Sequence, residues 1–194
     1  MFAYLKGIFT YKSPTVVHID VQGVGYEVQV SLHTYTKIQT LSEGRLYTHL
    51  LIKEDAHTLY GFFDLAEKEV FLHLLSVSGV GAATARMMLS SLQSAEVVRA
   101  ILSGNEALLE SVKGIGKKTA QRIVLELRDK LSKSGADENI STLTHNTLEQ
   151  EALNAMAALG IARSAAEAAL RKARQQNGAT EQVQDLIKAA LKCL

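Results

Sequence analysis

The chain lacks several features that would direct its interpretation at once. Cys193 is its only cysteine, so no disulfide can form within the chain. No apolar run reaches the roughly 20 residues that a membrane-spanning helix needs, and no secretory signal segment is evident. The formal net charge is only +1 over 194 residues, so the overall charge does not by itself indicate a nucleic-acid partner. We expect a cytoplasmic protein without membrane spans.

Residue patterns typical of metal and catalytic sites are also missing. The six histidines have no metal-ligand spacing, and a single cysteine cannot form a zinc cluster. No cluster of acidic residues has the character of a nuclease site. We therefore expect no catalytic residue and no metal.

The most distinctive feature that is present is a loop-and-helix motif that occurs twice, 35 residues apart. Val77–Gly81 reads VSGVG and Val112–Gly116 reads VKGIG, and each is followed three residues later by a Thr-Ala pair. Glycine allows positive φ and has no Cβ to block a close approach. The helix that follows directs free N–H groups and the positive end of its dipole outward, while the central apolar residue can fold into the core. Each loop is therefore predicted to hold one phosphate of a nucleic-acid backbone, without reading a base.

Charge is distributed unevenly around the two motifs. No acidic residue lies between Glu110 and Glu126, a stretch that contains four cations. Lys117 and Lys118 fall in the first helical turn, where a cation opposes the dipole unless an anion is bound; ordinary solvated lysines are the alternative. The residues predicted to bind DNA are Gly79, Val80, Gly81, Thr84, Arg86, Gly114, Ile115, Gly116, Lys117, Lys118, Thr119 and Arg122.

Two nucleotide-binding motifs resemble these loops and can be rejected. A P-loop would need glycine at the position of Ser111 and Ser or Thr at the position of Lys118, and it would follow a strand. A dinucleotide fingerprint would need a third glycine after Gly79 and Gly81. We therefore expect no nucleotide cofactor.

Hydrophobic patterning predicts a multi-domain α+β protein. Residues 1–63 contain five short segments rich in β-branched and aromatic residues, which indicate a small closed barrel. An OB fold is the leading interpretation and an SH3-like barrel is the alternative. The predicted strands are Leu5–Phe9, Val16–Val21, Tyr26–Val30, Leu46–Ile52 and Leu59–Phe63.

From residue 64 to 131 the apolar residues follow a helical period. This region is predicted to be an all-helical domain that contains both motifs. The expected helices are 65–76, 82–91, 94–102, 105–112 and 117–131, with Asp64, Ser94 and Asn105 as N-caps.

The last third of the chain divides into a linker and a small helical domain. Residues 132–147 are rich in Ser, Thr and charged residues and are predicted to be a flexible linker. Residues 148–194 are predicted to form three helices, 148–159, 164–175 and 180–192, with breaks at Gly160 and Gly178 and N-caps at Ser164 and Thr180. So small a bundle is marginal alone, which suggests help from a partner.

Over its whole length the chain resembles the RuvA family of Holliday-junction binding proteins. The segment Lys53–Phe62, KEDAHTLYGF, is the most specific match outside the two loops, and Phe2–Gly7 and Gly23–Val28 also resemble that family. The resemblance implies an N-terminal barrel, a tandem helix-hairpin-helix domain, a linker and a C-terminal domain.

The resemblance also implies a function and partners. The family forms a tetramer, or an octamer, that holds a four-way DNA junction open and nearly square. Glu54 and Asp55 would be its acidic pin, which repels phosphates at the crossover; a polar β-turn is the alternative for this pair. Partners would be junction DNA, the RuvB motor and the RuvC resolvase. The motor would contact an apolar patch of the last domain, unless these residues form its core: Met156, Leu159, Ile161 and Leu191.

The chain departs from the family at one place. The family commonly has a basic residue soon after the second glycine of the first hairpin, and this chain has Ala82 and Ala83 there. The first hairpin would therefore rely more on its backbone N–H groups.

Two other functions remain open on the residues alone. One is a repair nuclease or glycosylase that uses the hairpins for grip, although neither hairpin is followed by the Lys-plus-Asp arrangement of glycosylases. The other is an adaptor whose barrel binds single strands on its aromatic residues, which include Tyr4, Phe9, Tyr11, Tyr26 and Tyr47.

Overall fold

The computed structural model describes residues 2–133, 146–177 and 182–193. The chain separates into two compact units, Met1–Asp137 and Glu138–Leu194. The predicted boundary at residue 63 therefore lies inside the first unit, where the barrel and the helices that follow pack together.

The first unit begins with a closed barrel of five strands in the order β1-β2-β3-β5-β4, in which β4 pairs back with β1. Strands β3 and β5 are parallel and all other pairs are antiparallel. The fold is of the OB type, as predicted. The strands are β1 Tyr4–Lys12, β2 Val16–Val21, β3 Val24–Val30, β4 Glu43–Ile52 and β5 His57–Phe62.

A short helix, α1 (Leu32–Ile38), connects β3 to β4 and was missed by the sequence analysis. Ser31 caps it by accepting a hydrogen bond from the backbone N–H of Thr34 at 3.0 Å. Ile38 at its end is buried in the barrel core. The helix thus closes one end of the barrel, whose core is otherwise formed by Leu5, Phe9, Val17, Ile19, Val28, Val30 and Leu46.

The last strand of the barrel also belongs to a second core. Tyr60 and Phe62 of β5 pack against Phe71, with ring centroids 5.1 and 4.8 Å apart. Both residues are part of the apolar cluster that runs through the helical region to Leu131. One continuous core therefore joins β5 to the helices.

Five helices follow, close to their predicted bounds: α2 Leu65–Leu75, α3 Ala82–Ser91, α4 Ser94–Ser103, α5 Glu106–Glu110 and α6 Lys117–Lys133. Asp64 and Asn105 are N-caps as predicted. Ser94 is not, because it is the first residue of α4. Gln93 is the cap, and the Glu96 carboxylate accepts its backbone N–H at 2.8 Å.

A buried polar cluster fastens α1 to α2. Glu67, 1% exposed, accepts hydrogen bonds from the hydroxyls of Ser31 and of Thr34, the latter at 2.6 Å. The Thr34 hydroxyl oxygen in turn accepts the N–H of Phe63 at 2.9 Å. Burial raises the pKa of the Glu67 carboxyl above its usual value, against the opposing effect of the two hydroxyls.

The described residues of the second unit form three helices: α7 Asn146–Ala158, α8 Arg163–Asn177 and α9 Val183–Leu191. Its small core is mostly alanine, with Met156, Leu170 and Leu186 as the larger side chains. Gly160, with φ of 84°, forms the break after α7 as predicted. Ser164 lies within α8 and is therefore not its N-cap. Gly178 and Thr180 lie outside the described residues.

The predicted linker overlaps both neighbouring helices. Helix α6 continues to Lys133 and α7 begins at Asn146, so the two ends of the 132–147 segment are helical. The rest of that segment lies outside the described residues, and its flexibility stays a prediction.

Candidate nucleic-acid interface

The first glycine loop is a tight hairpin between α2 and α3. Gly79 has φ of 91°, which glycine adopts without strain. The chain then turns inward, so that Val80 is buried and its N–H donates to the carbonyl of Val77 at 3.1 Å. Helix α3 starts directly afterwards, with Ala85 N–H donating to the Gly81 carbonyl at 2.9 Å.

The second loop, between α5 and α6, repeats this geometry. Gly114 has φ of 94°, and Ile115 is buried with its N–H donating to the Val112 carbonyl at 3.0 Å. Ala120 N–H donates to the Gly116 carbonyl, also at 3.0 Å. The predicted inward placement of the central apolar residue is therefore confirmed in both hairpins.

The second glycine of each hairpin faces open space. A Cβ built on Gly81 or Gly116 would meet no atom within 4 Å, and neither residue has a positive φ. The fold itself therefore does not require glycine at these two positions. A bare backbone there leaves the first N–H groups of α3 and α6, those directly after Gly81 and Gly116, accessible to an external acceptor. Thr119 N–H in the same turn of α6 already donates to the Gly116 carbonyl at 2.9 Å.

The two hairpins lie next to each other. Arg122 of α6 donates from Nη1 to the carbonyl of Ser78 in the first hairpin at 3.2 Å, and its Nε pairs with Glu126 at 3.5 Å. Further along α6, Lys130 donates to the Ser76 hydroxyl at 3.4 Å. Arg122 therefore connects the helix that starts at the second hairpin to the first hairpin.

The side chains that follow the glycines differ between the hairpins. Lys117 and Lys118 are both exposed at the start of α6, and Lys113 is exposed within the second loop. Of the corresponding residues in α3, Ala82 is buried and Ala83 is exposed. Thr84 and Thr119 are half-buried in both repeats.

Arg86 is engaged differently from the other predicted contacts. Its Nη1 donates to the backbone carbonyl of Thr15 at 3.0 Å and to Oε1 of Gln29 at 2.5 Å, both in the barrel. Ser90, one turn later on α3, accepts the N–H of Leu32 at 3.1 Å. This connection is not predictable from the sequence, because it depends on how α3 lies against the barrel.

Glu54 and Asp55 lie at the turn between β4 and β5. The turn is closed by Lys53 N–H donating to the Ala56 carbonyl at 2.9 Å, and both acidic side chains are exposed. In the described part of the chain no group of three or more potential ligands could hold a metal ion.

The four apolar residues assigned to a motor-binding patch separate into two kinds. Met156 is fully buried in the core of the second unit, so it is not available to a partner in this conformation. Leu159 is 64% exposed, Leu191 is 41% exposed, and Ile161 is half-buried against the core. Only these three can contribute to an exposed patch.

The aromatic residues of the barrel are also divided. Phe9 is in the core, whereas Tyr4 and Tyr11 are exposed and Tyr26 and Tyr47 are half-buried.

Over the ranges that the structure describes, no helix has the length and apolar character needed to cross a membrane.

Comparisons with known proteins agree with this architecture. The family described as "RuvA N terminal domain" matches residues 1–61, and the family described as "SAM-like Helix-hairpin-helix tandem" matches residues 71–129. The chain is similar to proteins named Holliday junction branch migration complex subunit RuvA. It is 47% identical to that of Cytophaga hutchinsonii over 99% of both chains, and 47% identical to that of Christiangramia forsetii over 100% of both. The identity to the Flavobacterium psychrophilum protein is 46%, again over 100% of both chains.

Proposed function

The chain belongs to the RuvA family, and from this premise we propose that it is the DNA-binding subunit of a Holliday junction branch migration complex. It binds four-way junctions through their phosphates, without sequence specificity, and holds them open. It acts in recombination and repair in the cytoplasm and carries out no catalysis itself.

The observation that carries this proposal is the pair of hairpins with the same backbone geometry and with open space around their second glycines. Two helix N-termini of the same geometry, joined through Arg122 and Ser78, can accept two phosphates at a fixed spacing. The contacts proposed for them are the backbone N–H groups after Gly81 and Gly116, the two threonines, Arg122, Lys117 and Lys118. None of these groups reads a base, so binding is independent of sequence.

The acidic pair has the opposite role. Glu54 and Asp55 are exposed at the end of a two-stranded turn, where carboxylates repel phosphates. In a fourfold assembly the pairs of all subunits would gather at the crossover and keep the strands apart. This assembly, a tetramer or an octamer, is part of the proposal.

The second unit is proposed to recruit the RuvB motor. Leu159 and Leu191 are exposed apolar residues and Ile161 is half-buried, and we propose that these three contact the protein partner. The RuvC resolvase is proposed as a further partner of the assembled junction.

The test is a binding titration of the full chain with a four-way junction and with a linear duplex of the same sequence. We expect tighter binding to the junction, and affinity for both that falls as salt rises. With dyes on two arms, Glu54→Ser combined with Asp55→Ser should bind the junction at least as tightly as the native chain yet change the distance between the arms. Equal affinity of the native chain for junction and duplex would refute the proposal.

A further inference from the structure

Arg86 was expected to touch DNA, and its contacts are with the barrel instead. Nη1 carries two N–H bonds, and its two acceptors are the Thr15 carbonyl and the Gln29 amide oxygen. Hydrogen bonds from a guanidinium are stronger than those between neutral groups. The side chain is half-buried in this arrangement.

The acceptors of Arg86 are themselves held in place. The Thr15 carbonyl also accepts the N–H of Val30 at 3.0 Å, which ties it to β3. Gln29 lies in β3, and its amide nitrogen donates to the Glu27 carboxylate at 3.5 Å. Both acceptors therefore belong to the framework of the barrel.

Arg86 lies one turn after the residues that begin α3 at the first hairpin. Ser90, four residues later on the same face of the helix, receives the N–H of Leu32 from the start of α1. The two contacts fix both the position of α3 along the barrel and its rotation. The direction in which the first hairpin presents its N–H groups is then set by the barrel that carries Glu54 and Asp55.

The second repeat supplies an internal comparison. The positions that correspond to Arg86 and Ser90, at the same offset of 35 residues, are Gln121 and Leu125 in α6. Gln121 is exposed, and Leu125 is 80% exposed. The same face of the repeat thus contacts the barrel in the first hairpin and faces solvent in the second.

We propose that Arg86 is a positioning residue: it fastens the first hairpin to the barrel and so fixes the hairpin relative to the acidic pair, rather than neutralising a phosphate. This inference rests on the proposed function. It predicts that loss of the contact lowers the affinity for four-way junctions, while the affinity of the hairpins for linear duplex is largely kept.

The experiment compares Arg86→Ala with Gln29→Leu, which removes one of the two acceptors of Arg86 from the barrel side and leaves the arginine charge in place. Both variants should bind a four-way junction less tightly, about tenfold for Arg86→Ala, which is the size of one charge-assisted hydrogen bond. Both should change duplex binding by much less. Because the two residues share one interaction, the double variant should bind no more weakly than Arg86→Ala alone.

The salt dependence of DNA binding distinguishes a positioning role of Arg86 from a direct contact with phosphate. A lost phosphate contact lowers the slope of log K against log salt by about 0.9, whereas a lost positioning contact leaves the slope unchanged. Gln121→Ala is the matched control at the equivalent position and should behave as the native chain. Melting temperatures of all variants, measured by circular dichroism, identify any that have lost their fold.

Three results would overturn the inference. They are a slope lowered by about one for Arg86→Ala, junction binding unchanged or improved for Gln29→Leu, or equal loss on junction and duplex in a folded variant. Failure of the proposed function is distinguishable, because the native chain itself would then show no preference for the junction.

Discussion

The first hairpin, Val77–Gly81, and the second, Val112–Gly116, share a backbone geometry and differ in what surrounds them. The first begins a helix that Arg86 and Ser90 hold against the barrel, and its first exposed side chain is that of Ala83. The second begins a helix whose equivalent face is open to solvent and whose first turn carries Lys117 and Lys118.

The two copies of a duplicated motif can therefore have different tasks. In our interpretation the second hairpin supplies most of the attraction for phosphate, because it carries the cations. The first supplies orientation, because the helix that follows it, α3, is held to the barrel side by Arg86 and Ser90. The helix that precedes it, α2, is held to α1 through the buried carboxylate of Glu67.

The largest effect is expected from reversing the charge of the second hairpin. Lys117→Glu with Lys118→Glu should weaken binding about a hundredfold for all DNA sequences alike, because two phosphate partners are replaced by repulsive carboxylates. A gel-shift titration over a range of salt should also show a slope lower by about 1.8. Arg171→Glu with Lys172→Glu, an exposed pair in α8, makes the same change of charge elsewhere and serves as the control. Unchanged affinity would show that the lysines are ordinary surface residues.

A smaller effect, an increase in DNA affinity, is expected when the first hairpin is given a cation. Ala83 is exposed and precedes Thr84 as Lys118 precedes Thr119, so Ala83→Lys should tighten binding about threefold to tenfold and steepen the salt slope by about 0.9. Ala83→Gln, which is similar in length but uncharged, is the control for side-chain size. If lysine and glutamine behave alike, the first hairpin does not approach a phosphate at this position.

The smallest effect is expected on the pH dependence of stability. It should arise from Glu67 in α2, the helix that precedes the first hairpin. Its pKa in the folded chain lies above the usual value of 4.5, so the folded state binds the proton more tightly than the unfolded state does. Stability contributed by the protonated carboxyl is therefore present at low pH and declines as pH rises above 4.5 through the raised pKa.

Glu67→Gln should remove that decline, which would appear as a melting temperature that varies less with pH, by a few degrees. Glu69→Gln, an exposed acid on the same helix, should leave the native pH profile in place. Identical profiles for Glu67→Gln and the native chain would mean that the buried carboxyl does not titrate differently on folding.

Much of the architecture follows from local sequence patterns. The five strands can be predicted because segments rich in β-branched residues, separated by glycine turns, are local signals. The two hairpins can be predicted because the spacing of their glycines is visible in the sequence. Helix α1 was missed because it is only seven residues long and contains two threonines and an isoleucine, which favour strands. The cap at Gln93 was missed because glutamine rarely has this role.

The candidate site was predictable only in part, for a different reason. Glycines and lysines at the hairpins can be found by counting along the chain, whereas the contacts of Arg86 join residues that are 57 and 71 positions apart. Likewise, nothing in the spacing of Met156 and Leu159 reveals that the first is fully buried and the second exposed. Such assignments depend on packing between elements.

The sharing of β5 between two cores has a consequence for how the chain folds and unfolds. Tyr60 and Phe62 complete the helical core around Phe71, while the same strand closes the barrel between β3 and β4. Neither part can lose its structure without exposing large aromatic surface of the other. The barrel and the hairpin repeats should therefore melt in one cooperative transition, and the parallel pairing of β3 with β5, which joins distant parts of the chain, should be among the slower steps of its folding.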